Sequence, residues 1–277
     1  MKYLKQIFNF YINSSIHVAL AVYALAWVTL IEFGLSYDED VLYFVFYATL
    51  VAYNFVKYFG FVKFHHRQFA SFLKWIQVVS VIAFVAMCYY ALRLNRAALV
   101  VIILIGVVTF FYAIPLIPRH FLLDEQRNLR QISGLKIYVI AMVWTLTTVL
   151  FPLVNYGVEI NAEVLLAVLQ RAIYVVVLML PFEIRDLKYD SLKLATVPQK
   201  IGITNTKIFG SILLLVFILI DLFKAHLDME NIIIHGTLAL VTFPFLIFAK
   251  KNQSKYYSAF WVESLPIVWL VLLLLFR

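Results

Sequence analysis

Charge and cysteine are what this sequence has least of. Charged residues make up 14% of its 277 residues and hydrophobic ones 64%, whereas a soluble domain carries about a quarter charged residues. A soluble globular chain is therefore excluded, and a polytopic membrane protein is what remains. The single cysteine, Cys88, lies in an apolar run. One thiol excludes a disulfide framework and a cysteine-based metal site, and its simplest reading is a small buried hydrophobe. No Gly-rich phosphate loop, Ser/His/Asp arrangement or heptad is present. Without an internal repeat, a transporter built from inverted halves loses its main support. The longest polar linkers are about 20 residues, well below domain size, so residues 1–277 read as one polytopic membrane domain.

What is present is a series of long apolar runs, near 13–33, 41–60, 75–92, 97–117, 135–154, 164–182, 207–224, 231–249 and 259–276. A span needs about 20 apolar residues, and in lipid the backbone must satisfy its own hydrogen bonds, so these are helices. The basic start, MKYLKQIF, resembles a signal peptide, but the run continues to Ile31 and reads as a retained first helix. Pro115 and Pro118 mark the end of the fourth run, and Pro181 the end of the sixth. Lysine and arginine concentrate at the N-terminus and in the even-numbered loops. Opposite them stand only Arg93, Arg96, Lys224 and Arg277, while Arg171 lies inside a helix. The odd loops carry acids instead, from Asp38, Glu39 and Asp40 to Asp228 and Glu230. The positive-inside rule puts the N-terminus and the even loops in the cytoplasm, and nine helices leave the C-terminus outside. A compact chain of this kind points to a bacterial inner membrane.

The exception to the charge pattern is the stretch PFEIRDLKYDSLKLATVPQKIG, Pro181 to Gly202. Here Glu183, Asp186 and Asp190 are spaced three and four apart, which places all three on one face of a helix. Such carboxylates are hard ligands suited to Mg²⁺, which in enzymes usually bridges to phosphate. Arg185, Lys188, Lys193 and Lys200 bring cations that suit the same phosphate. A solvated, charged loop between two spans is the competing reading.

E-I-R-D-L-K-Y-D followed by T-V-P-Q-K-I-G resembles the second aspartate-rich motif of the UbiA superfamily of intramembrane prenyltransferases, in the form of its menaquinone-pathway members. The resemblance implies an all-α bundle of nine transmembrane helices around a central cavity, with Mg²⁺ as cofactor. It casts Asp186 and Asp190 as catalytic and Glu183, Asp186 and Asp190 as metal ligands. Tyr112, Pro115 and Arg119 are a weaker echo of the segment after the fourth helix. The family's first motif, N-x-x-x-D-x-x-x-D, is broken: Asn54 is kept, but Tyr58 and Val62 stand where its aspartates belong. Half of a two-sided metal clamp is missing. Lys57, Lys63 and Arg67 are the candidates to replace it as direct phosphate partners, completing a diphosphate-binding set of Asn54, Lys57, Lys63, Arg67, Arg119, Arg185 and Lys188. Ordinary positive-inside residues are the alternative.

His65 and His66 are adjacent and do not share a helical face, so they read as interfacial loop residues. Arg171, a charge within a span, faces a cavity or a partner: either a substrate phosphate or Glu263 of the last helix. Asp221 and Glu32 sit near outer helix ends, within reach of water. Some of the 25 Phe and 17 Tyr suit a prenyl tunnel, though most face lipid or form interfacial belts. Two functions are expected from the resemblance. One is transfer of an isoprenoid from a prenyl diphosphate to an aromatic or lipid-soluble acceptor. The other is a non-catalytic relative that binds or senses a prenyl lipid.

Overall fold

The computed structural model describes residues 2–58, 70–114, 134–188, 195–225 and 228–276. Its helices are α1 (Lys2–Asn13), α2 (Ile16–Glu32), α3 (Glu39–Tyr58), α4 (Ala70–Ala91) and α5 (Arg96–Ala113). They continue as α6 (Lys136–Asn155), α7 (Ala162–Asp186), α8 (Val197–Phe223), α9 (Met229–Ile247) and α10 (Tyr257–Phe276). The described residues contain no strand. Each apolar run of the sequence coincides with one helix from α2 to α10. Seven of them, α4 to α10, are long and apolar enough to cross a membrane, and α1 with α2 makes an eighth if that bent pair is one span. The more polar α3, 20 residues long, carries Glu39 and Asp40 in its first turn and Lys57 in its last. The protein is a multi-pass integral membrane protein.

The first run is not one straight helix. Ser14 and Ser15 interrupt it, Ser15 adopts a left-handed φ of 64°, and α1 leaves α2 at 53°. Packing explains which helices lie inside. Along α2, Ala19, Ala21, Ala24 and Ala26 are buried together with Leu25, Val28 and Leu30. Small side chains let neighbouring backbones approach closely in a membrane bundle. In α7, 61% of the most apolar stretch is buried, against 11% in α4 and in α5, so α2 and α7 are central and α4 and α5 peripheral. Cys88 follows from that: it is exposed, on a helix that turns most of its surface outward. The expected burial of this thiol is thus corrected.

Two differently charged ends result. At the acidic end, loops meet through Arg93 and Asp40 (3.2 Å) and through Asn155 and Asp38 (3.2 Å). Asn95, Asn161 and Asp228 cap α5, α7 and α9 there, each accepting from a backbone N–H of the first turn, which satisfies groups a helix cannot pair internally. At the basic end, α8 begins differently. Gln199 reaches back to accept from the Thr196 N–H (3.0 Å), and Glu183 of α7 accepts from the Val197 N–H (3.2 Å). Gly202 then breaks α8 with φ 80° and ψ 164°, a conformation essentially restricted to glycine.

Candidate functional site

Polar side chains from four helices converge at the basic end. Asp186, on the last turn of α7, accepts from Arg185 Nε (2.8 Å) and lies 3.5 Å from Lys136 Nζ at the start of α6. Asn54 and Lys57 are one turn apart near the end of α3. The Asn54 amide donates to Ser80 (2.9 Å), while its Oδ1 is buried with no partner among the described residues. Lys57 stays exposed although its ammonium donates to Ser15 (2.9 Å). Glu263 of α10 lies within electrostatic range of both Lys57 and Arg185. Tyr53, one turn before Lys57, accepts from the Trp144 indole N–H (2.8 Å) and also feels Glu263. The result is a polar cluster drawn from α3, α6, α7 and α10, with three cations, Lys57, Lys136 and Arg185, and two acids, Asp186 and Glu263.

The sequence-predicted residues divide accordingly. Asn54, Lys57, Arg185 and Asp186 belong to this end, the last three within the charged cluster. Glu183 is buried, and its Oε2 serves as the cap of α8 described above. Lys188 follows the end of α7 and is exposed. Tyr112 is buried, within electrostatic range of Tyr53. Lys63, His65, His66, Arg67, Pro115, Arg119, Asp190 and Lys193 lie outside the described residues. Two participants do not emerge from the sequence: Lys136, which reads there only as a loop cation, and Glu263, which reads as a partner of Arg171. An acid within a span is the available signal for Glu263.

Mg²⁺ takes oxygen ligands in a near-octahedral shell. No group of three or more His, Cys, Asp or Glu able to hold a metal occurs among the described residues. Asp186 is already opposed by two cations, and one Glu183 oxygen is committed to a backbone N–H. The described residues do not fit a magnesium site by themselves. They do fit an anion, because the cluster offers three cationic side chains of different reach.

A different charge network fills the acidic half. Arg171 is 2% exposed. It donates to the Leu25 carbonyl (2.6 Å) and to Thr29 and Thr148 hydroxyls (3.3 and 3.4 Å), sits 3.8 Å from Glu32, and stacks over Trp269 at 4.5 Å. The chain of charges continues from Glu32 to His235 Nε2 (3.0 Å), from His235 Nδ1 to Asp221 (2.6 Å), and from Asp221 to Lys224 (2.8 Å). Both ring nitrogens of His235 meet a carboxylate, which only the imidazolium satisfies by donating twice. Two expectations are corrected here. Arg171 pairs with Glu32, because its face of α7 turns toward α2 and the acidic end while Glu263 lies toward the basic end. Asp221 is 3% exposed and is held by His235 and Lys224, and Glu32 is likewise taken up by the network, so neither simply reaches water.

On the outer side of α10, a groove of about 360 Å³ runs from Tyr11, His17 and Ser264 to Val268 and Leu272. Its polar end is internally satisfied. His17 meets the Tyr11 hydroxyl at 2.8 Å and the Phe260 carbonyl at 2.9 Å.

No protein-family model and no curated protein matches this chain. A solved structure does: that of a UbiA homolog from Archaeoglobus fulgidus, with a TM-score of 0.53 and 10% sequence identity, covering 100% of this chain and 99% of that one. The likeness therefore runs end to end, and the chain has the UbiA fold, an all-α membrane bundle as expected from the sequence.

Proposed function

We propose that this protein is an intramembrane prenyltransferase, which transfers an isoprenoid group from a prenyl diphosphate to an aromatic or lipid-soluble acceptor. The observation that carries the reading is the polar cluster at the basic end, built on a UbiA fold from Lys57, Lys136, Arg185 and Asp186. Ionising an allylic diphosphate builds negative charge on the leaving pyrophosphate, and preorganised cations stabilise it where it develops. Lys57, Lys136 and Arg185 hold the diphosphate, and Asp186 fixes the Arg185 guanidinium and the Lys136 ammonium in place. Asn54 adds an amide near the same mouth. In the sequence, Lys63, Arg67 and Arg119 add positive charge to the loops of this side, Lys188 follows Asp186, and Asp190 completes the acidic motif. The described residues give Mg²⁺ no complete site, so no step is assigned to it. The basic end faces the cytoplasm by the positive-inside rule, in a bacterial inner membrane.

A second reading, a non-catalytic binder of prenyl lipid, is favoured by one observation. Tyr58 and Val62 replace the first-motif aspartates, and Asp186 is already neutralised by two cations. The separating experiment is pyrophosphate release from radiolabelled prenyl diphosphates by purified protein, with and without Mg²⁺, across a panel of quinone-precursor acceptors. Release that Lys136→Met and Arg185→Met suppress is the expected result. Saturable binding without release selects the second reading. Neither binding nor release overturns both.

A further inference from the structure

Glu263 is the one acid of the cluster without a committed partner. Among the described residues its carboxylate has no hydrogen bond and no cation within 4 Å, whereas Asp186 has both. It lies on the seventh residue of α10, about 10 Å from the basic end at the usual helical rise, and it is half-buried rather than sealed. An ionisable side chain at such depth is costly to keep and marks a working position.

Its direction is set by the backbone. Tyr257–Val262 is a π-helical turn, and the Glu263 N–H bonds to the Ser258 carbonyl five residues back (3.2 Å) before α-helical bonding resumes at Ser264. A π-turn inserts a residue and rotates the helix beyond it, and such turns recur at functional sites. Past the turn, Ser264 lies against His17 of α2 (3.2 Å). The titratable groups within electrostatic range of Glu263 are Lys57 and Tyr53 from α3, Arg185 from α7 and Tyr11 from α1. Three cations are thus available to a diphosphate, and one free carboxylate is set a short way deeper, where an acceptor would meet the isoprenoid end.

We propose that Glu263 accepts the proton that an aromatic acceptor releases when the isoprenoid joins it. This rests on the prenyltransferase reading. The C–O bond of the prenyl diphosphate breaks, and its electron pair leaves with pyrophosphate. A ring carbon of the acceptor supplies the pair for the new C–C bond. The proton displaced from that carbon passes to the Glu263 carboxylate and from there to water. A positioned general base of this kind contributes about 10²–10⁴-fold, and the charges of Lys57 and Arg185 act on the same carboxylate.

The test measures wild type, Glu263→Gln and Glu263→Asp in detergent or nanodiscs, with gel filtration to confirm folding. Binding of radiolabelled prenyl diphosphate and transfer to a hydroxyaromatic acceptor are followed separately. Glu263→Gln is expected to bind prenyl diphosphate as the wild type does while transfer falls about 10²–10⁴-fold. Glu263→Asp should recover part of that loss. With the acceptor deuterated at the reacting carbon, a primary isotope effect should appear in Glu263→Gln, because proton removal becomes limiting. Unchanged transfer in Glu263→Gln overturns the assignment while leaving the prenyltransferase reading intact. So does a parallel loss of diphosphate binding, which would make Glu263 a positioning residue for Lys57 and Arg185. A wild type that transfers to no acceptor takes down the prenyltransferase reading itself, and this assignment with it.

Discussion

Removing the Arg171 guanidinium tests whether the acidic-end network holds the bundle together. In Arg171→Met the volume is nearly kept, but Glu32 loses a partner at 3.8 Å, a Coulomb attraction of about 4 kcal/mol at an effective dielectric near 20. The Leu25 carbonyl and the Thr29 and Thr148 hydroxyls lose donors as well. Desolvation of the guanidinium, which opposed those gains in the native state, is also relieved. For a buried pair broken on one side, the balance is a loss of about 3–5 kcal/mol. His235 still faces Glu32 (3.0 Å), which puts the expectation at the lower edge, about 3 kcal/mol. The assay is equilibrium unfolding in mixed micelles of dodecyl maltoside and rising sodium dodecyl sulfate, followed by far-UV circular dichroism. The companion variant, Arg171→Met with Glu32→Gln, removes both charges and should recover part of the loss, with a coupling of about 1–3 kcal/mol. A cost for Arg171→Met under about 1 kcal/mol, typical of exposed pairs, would refute the argument. So would strict additivity of the two single variants.

The start of α8 yields two further expected outcomes. Gly202→Ala puts a side chain at φ 80° and ψ 164° and should lower unfolding stability by about 1–3 kcal/mol in the same assay, although nothing lies within 4 Å of the added Cβ. Glu183→Gln keeps an acceptor for the Val197 N–H and should leave prenyl diphosphate binding unchanged, while Glu183→Ala loses the cap at a cost of about 0.5–2 kcal/mol. Loss of binding in Glu183→Gln with stability intact would show that the carboxylate charge, rather than the cap, is what matters.

The helices were legible because span length and apolarity are read directly from composition along the chain. The ends were legible because lysine and arginine sort between loops. What the runs did not carry is which way each helix faces. A span apolar all round gives no stripe from which to read rotation, so Arg171 had three acids in candidate spans, Glu32, Asp221 and Glu263, and no signal to choose among them. Its partner depended on α7 turning toward α2, a matter of packing. The break at Ser14 and Ser15 had a visible polar interruption, yet its 53° bend depends on Ser15 entering the left-handed region. Lys136 stands 50 positions before Asp186, and no spacing rule links them. Glu263 directly follows a π-turn, and α-helical periodicity does not register an inserted residue.

The two charge clusters also differ in a way that assigns them different work. From Arg171 to Lys224, each charge at the acidic end is opposed by the next, and Arg171, Asp221 and His235 are 2%, 3% and 0% exposed. A network closed on itself holds helices in register and has nothing left with which to bind. At the basic end the Asn54 carbonyl oxygen is unpartnered among the described residues, Lys57 is exposed, and Glu263 faces cations without touching them. Incomplete pairing is expensive within a membrane unless a ligand completes it. On the proposed function, a fold that satisfies one polar cluster and leaves the other open keeps its stability at the acidic end and its binding capacity at the basic one. That is why substitutions at Arg171 should be read in unfolding and substitutions at Glu263 in turnover.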